Sequence, residues 1–212
     1  EPVEWRVLDK KDGEILLLSE YGLDAQPFDT SGKSRVDWKD STIRKWLNDD
    51  FYNSAFSEKE KENIVESKSE GFEEYNTSMN LTGGGKPYAY LEREIEDKVF
   101  LLSNTELCAY FSEDPYPGCY SDPYAHKELL CYPTAYAKQQ LETRYQTETC
   151  GWWLCNHVYE DDSVELVSAY GQGSGTSREN IKANTKSIAV RPAMWVTWQS
   201  DMEMVEANQQ VE

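Results

Sequence analysis

"PVEWRVLDKKDGEILLLS", Pro2 to Ser19, sets the architecture. Val3, Trp5 and Val7 alternate with Glu4, Arg6 and Leu8, the two-residue period of a half-buried strand. "KKDG" then supplies turn chemistry, with Gly13 free to take a positive φ, and "EILLLS" returns as a second strand. Ile15 to Leu18 are all apolar, which predicts a strand covered on both faces. The stretch reads as a hairpin.

The period changes further along. In "WKDSTIRKWLNDDFYNSAF", Ile43, Trp46, Leu47 and Phe51 fall at helical spacing, with Asp40 or Ser41 as the N-cap. Ser57 and Glu60 spell a capping box at the start of the short helix "SEKEKENIV". Residues 66–97 are polar and Gly-rich and read as a surface excursion, a class of loop that is often functional. "KVFLLS" resumes as a buried strand and leads into the helix "SNTELCAYF", where Ser103 and Glu106 form a second capping box. A tyrosine- and proline-rich loop follows, "SEDPYPGCYSDPYAHKELLCYP", and Pro133 suits the first turn of the helix "PTAYAKQQL". "WWLC", "SVELVSAY" and "SIAVRPAMWV" read as three closing strands.

Strands, then helices, then strands argue for α+β architecture rather than alternating βαβ units. The expectation is a single compact α+β domain over residues 1–198, its N-terminal hairpin paired with C-terminal strands, and a polar tail over 199–212.

Composition narrows the partners. A formal charge of −18 disfavours nucleic acid and anionic membrane surfaces. No apolar run approaches the roughly 20 residues of a membrane-spanning helix. An acidic chain rich in Tyr and Trp, with five cysteines, suits an exported, secreted or cell-surface bacterial domain. Cys119, Cys131, Cys150 and Cys155 are the disulfide candidates, enough for two bridges, with Cys108 left as a buried thiol in a helix.

The phrases "EWRVLD", "ILLLSEYGLD", "STIRKWLNDDFYNSAFSEKEK", "DKVFLLSNTEL", "PTAYAK", "WWL" and "VRPAMWV" occur in this order. Together, over roughly residues 3–197, they make the chain resemble a bacterial family catalogued as domain of unknown function 6273, common in exported proteins of gut Firmicutes. The resemblance implies a distant variant of the C-type-lectin-like fold shared with formylglycine-generating enzymes. It implies no activity. The family runs Trp-Trp-Leu-Arg-Ser-Pro-Gly where this chain places Cys155, Asn156 and His157 after Leu154.

That departure lies in "CGWWLCNHVYEDDS", which gathers Cys150, Cys155, His157 and three acids. Structural zinc takes four ligands in closely spaced pairs, and no second pair is well placed here, so no metal is expected. A disulfide or buried thiols fits better. Trp152 and Trp153 point to opposite faces of a strand, so at least one enters the core and Trp153 is a candidate to line a groove. The spaced acids of a calcium loop are missing. So are a Gly-x-Ser-x-Gly elbow, a phosphate loop and a dinucleotide fingerprint, and no cofactor is expected.

Rigid aromatics in the irregular stretch, Tyr116, Tyr120, Tyr124 and Tyr132, with His126 beside them, suit stacking on sugar rings or anchoring a protein contact. The alternative is that they fold back as the loop's own small core. The expectation is a non-catalytic binding module for a glycan or a protein partner. Its rivals are an enzyme on the same scaffold (a cysteine-dependent oxidase or a carboxylate glycoside hydrolase) and a structural spacer in a larger surface protein.

Overall fold

The hairpin forms as β1 (Trp5–Lys11) and β2 (Glu14–Ser19). Lys11 pairs with Glu14 across Asp12 at φ 53° and Gly13 at φ 83°. Two successive left-handed residues make the turn whose twist suits a two-residue hairpin loop. On β2, Ile15 packs into a small cluster with Met194 and Val196, whereas Leu16 and Leu18 enter the main core. The unbroken apolar run is thus covered on both faces.

The computed structural model describes residues 2–33, 36–68, 95–111, 127–142, 148–157, 164–172 and 182–198. The expectations for the 69–94 excursion, the tyrosine-rich 112–126 and the 199–212 tail lie outside these residues.

Two further strands join the hairpin in its sheet. β3 (Ile64–Val65) and β8 (Ala193–Thr197) extend it into an antiparallel sheet of order β1-β2-β8-β3. β8 lies along β2 from Leu18↔Ala193 to Glu14↔Thr197, so an early strand and a late one pair as expected. β4 (Ser67–Lys68) pairs with β5 (Glu96–Asp97), and β6 (Trp152–His157) with β7 (Val164–Val167), both antiparallel.

The helices are short and start where side chains cap them. Ser41 Oγ accepts from Arg44 N at 3.3 Å and opens α1 (Thr42–Trp46). The helix widens into a π-turn over Leu47–Phe51 and resumes as α2 (Tyr52–Ala55), burying Ile43, Leu47 and Tyr52. α3 (Glu58–Lys61) begins at the Ser57–Glu60 capping box read from the sequence. α4 (Asn104–Phe111) and α5 (Ala135–Gln140) follow, and among the described residues no helix is long and apolar enough to cross a membrane.

Three expectations change. Residues 98–103 are buried over Val99–Leu102, but among the described residues only Phe100 pairs, with Ala193; the segment is extended core rather than a strand. Pro133 precedes the first turn of α5, because Thr134 takes the N-cap and its Oγ1 accepts from Ala137 N at 3.1 Å. "SIAVRPAMWV" is interrupted: Ala189 bridges to Trp152 and Val190 to Asp24, and β8 starts only at Ala193. Pro192 has no N–H to give a ladder, and its carbonyl accepts from Ser19 N instead.

Candidate functional site: an acidic cleft beside the hairpin tip

A cleft of about 550 Å³ lies where the β1–β2 tip, the β3–β4 segment, the buried run 95–103 and α4 converge. The tip contributes Asp9, Lys11, Asp12 and Glu14, and the β3–β4 segment adds Glu66 and Ser67. Ile95, Asp97 and Phe100 form one wall, Glu106 and Tyr110 another, and Trp195 and Cys155 also line it. Among the described lining residues acids outnumber the single lysine, which makes this part of the cleft acidic.

Asp97 is the most constrained acid. It accepts from Trp38 Nε1 at 2.8 Å, Arg44 Nε at 2.7 Å and Asn48 Nδ2 at 3.2 Å. Burial pushes its carboxyl up, opposed by the Trp38 bond and the Arg44 charge. Asn48 is held in turn, its Oδ1 accepting from Lys98 N at 2.8 Å and Val99 N at 3.2 Å. The helix carrying Arg44 and Asn48 is thereby fastened to the strand carrying Asp97.

Glu106 has a capping duty. Its Oε2 accepts from both Ser103 N and Ser103 Oγ at 2.7 Å, while Ser103 Oγ accepts from Glu106 N at 3.2 Å. This is the reciprocal pattern that "SNTE" spells. Burial again raises the carboxyl, against those two bonds. One turn on, Tyr110 donates to Asp9 Oδ2 at 3.4 Å, joining α4 to β1. Burial first, then the charges of Asp9 and Glu106, push the phenol up, so it remains a donor at neutral pH.

Below the cleft lies the stretch that departs from the resembling family. Cys155 N donates to Leu102 O at 3.0 Å, and burial followed by the charges of Glu106 and Glu165 drives its thiol well up. A protonated, buried thiol is the opposite of a nucleophilic cysteine. Asn156 Oδ1 accepts from Asn104 N at 2.7 Å, at the start of α4. Asn104 Nδ2 donates to Glu165 at 3.0 Å, and burial pushes that carboxyl to about 7. Cys155 thus ties β6 to the buried run 98–103, and Asn156 seats α4 on β6.

Trp152 and Trp153 are both fully buried. Trp152 Nε1 donates to Leu129 O at 3.1 Å, and Trp153 Nε1 to Gln26 O at 3.0 Å while the ring meets Phe28 edge-on. Trp153 is a core residue, and its proposed place in a groove gives way to packing. Cys131, Cys150 and Cys155 are free thiols. Tyr132 is exposed, whereas Tyr116, Tyr120, Tyr124, His126 and Cys119 lie outside the described residues. Among the described residues no group of three His, Cys, Asp or Glu side chains is placed to hold a metal ion.

The cleft acids escaped sequence reading because 39 acidic residues carry no positional signal. The one usable clue was Ser103–Glu106, which as a capping box fixes where Glu106 must stand.

Few short helices around antiparallel sheets define an α+β domain. The chain belongs to the family described as a domain of unknown function (DUF6273), whose pattern matches residues 12–198. No curated protein and no solved structure matches it.

Proposed function

We propose that the chain is a non-catalytic binding module, secreted or displayed at a cell surface, whose acidic cleft takes a neutral or amino-bearing glycan. The cleft carries this reading: about 550 Å³, of ligand size, with carboxylate acceptors set among the rings of Trp195, Phe100 and Tyr110. Sugar hydroxyls donate well to carboxylates, and apolar sugar faces stack on aromatic rings. A C-type-lectin-like outline belongs to the same proposal, supported by the β2–β8 pairing of an early with a late strand.

Binding is favoured over hydrolysis by the state of the two constrained acids. Asp97 is occupied by Trp38, Arg44 and Asn48, and Glu106 by Ser103. A general acid or base needs a lone pair or proton aimed at substrate, whereas these carboxylates serve their own fold. An oxidase is disfavoured by the protonated state of Cys155.

The test is a glycan array followed by calorimetry, with Glu66→Lys and Tyr110→Phe as variants. The wild type should bind neutral or amino glycans. Glu66→Lys should weaken binding by tenfold or more and Tyr110→Phe by less. Absence of binding across the array would favour the spacer reading, and a preference for sulfated or sialylated glycans would overturn the charge argument.

A further inference from the structure

Away from the cleft, Cys131 and Cys150 stand directly opposite one another as an antiparallel bridge, with Cys150 N donating to Cys131 O at 2.8 Å. Residues directly opposite in an antiparallel pair sit about 4.5–5.5 Å apart at Cα, within the span that disulfides prefer. Both sulfurs lie on the same side of the bridge. A Cβ placed on Gly22 would stand 3.4 Å from the Cys150 sulfur and 3.5 Å from the Cys131 sulfur. It would also meet Ala189 Cβ at 2.8 Å, so the two thiols and Ala189 share a site that only glycine can close. Both cysteines are fully buried.

A second observation sits beside them. Arg191 is fully buried, with Nε on Ser19 O at 2.8 Å, a terminal nitrogen on Glu20 O at 3.4 Å and its guanidinium 4.9 Å from the Trp152 ring. Among the described residues its other terminal nitrogen, Nη1, has no hydrogen-bond partner. The Cys150 thiol, and after it this cation, favour the thiolate of Cys131 against burial, while Cys150 is pushed up by its neighbour and by burial. One sulfur is thus the attacking thiolate and the other holds the proton, the asymmetry that thiol–disulfide exchange uses.

We infer that Cys131 and Cys150 are the disulfide-forming pair of this chain, and that Cys155 takes no part. The step balances with a small disulfide as oxidant, glutathione disulfide for instance. The Cys131 thiolate attacks one oxidant sulfur and expels the first thiolate. Cys150 then loses its proton and attacks the Cys131 sulfur, expelling the second. Two protein thiols lose two electrons and two protons, and the oxidant's disulfide becomes two thiols. Because the pair is buried in the fold, oxidation takes place during folding or a local opening. The bond ties the segment carrying Cys131, which also pairs with Gly22 through Pro133, to the residues just before β6. The inference is independent of the glycan reading.

The experiment refolds the chain in a glutathione redox buffer, blocks remaining thiols by alkylation, and maps cross-linked peptides by mass spectrometry without reduction. A Cys131–Cys150 link with alkylated Cys155 is expected. Reductant should then lower the melting temperature by roughly 5–10 °C, as a bridge over a loop this short implies. It should leave a Cys131→Ala/Cys150→Ala variant unmoved. Links from either residue to Cys108, Cys119 or Cys155, or both thiols alkylated after equilibration with excess oxidant, would overturn the assignment. The peptide map of the wild type decides even if the double variant fails to fold.

Discussion

Glu165→Gln should make the protein more stable at alkaline pH and leave it nearly unchanged in acid. Glu165 is buried on β7, and its carboxyl titrates at about 7 instead of the ordinary 4.5 because burial disfavours its charge. With the folded value above the unfolded one, the fold binds the proton that the unfolded chain has released. Stability therefore falls as pH rises from 4.5 to 7, by about 1.4 kcal/mol per pH unit, roughly 3 kcal/mol in all, and then levels off. Below 4.5 both states are protonated and the effect is absent.

Glutamine keeps an oxygen for the Asn104 Nδ2 bond, 3.0 Å in the wild type, and never ionises. The sequence pI of about 4.5 makes the chain prone to precipitate at the acid limit, so pH 5.5 and 8.5 are the practical points. Between them the stability gap in favour of the variant should widen by about 2 kcal/mol. Urea unfolding at both pH values measures it. The other titrating groups are common to both proteins and cancel in the difference. A gap that stays constant within about 0.5 kcal/mol, or one that narrows with pH, would refute the argument from burial.

Asp97→Ala removes the acceptor of Trp38 Nε1 and Arg44 Nε together. It should destabilise by roughly 3 kcal/mol in urea unfolding, the low end for a broken buried ion pair because the Arg44 side chain remains 22% exposed. Asn156→Ala withdraws the oxygen that receives Asn104 N at the head of α4. A loss of about 1–2 kcal/mol is expected, and Asn156→Ser should recover part of it by restoring a side-chain oxygen. Equal losses for the alanine and serine variants would show that the oxygen is not what matters.

Local rules carried well where the chain signals its own geometry. Alternation before Asp12–Gly13 predicts the hairpin, and Ser57–Glu60 and Ser103–Glu106 predict helix starts within a residue. The run 98–103 shows the limit. An apolar stretch reports burial, but pairing needs a neighbour at ladder spacing, and among the described residues only Phe100 finds one. Pro133 fails for a similar reason: Thr134, a stronger N-cap, stands one residue on. Trp153 was ambiguous because a strand gives two faces and the sequence does not say that both are covered. The cleft was least legible, since Asp9, Glu66, Asp97 and Glu106 converge only through tertiary contacts between distant segments.

The pairing of Leu18 with Ala193 has a consequence for how the protein is made. Residues 14–19 leave the ribosome well before residues 193–197, and one edge of β2 has its partner only when those follow. Contacts this distant in sequence close slowly, and throughout translation an apolar strand with an open edge waits in the nascent chain. Truncation before Ala193 should therefore yield an aggregating fragment, not a smaller folded domain. Whatever holds the nascent β2 soluble during that interval belongs to the biology of this fold as much as its cleft does.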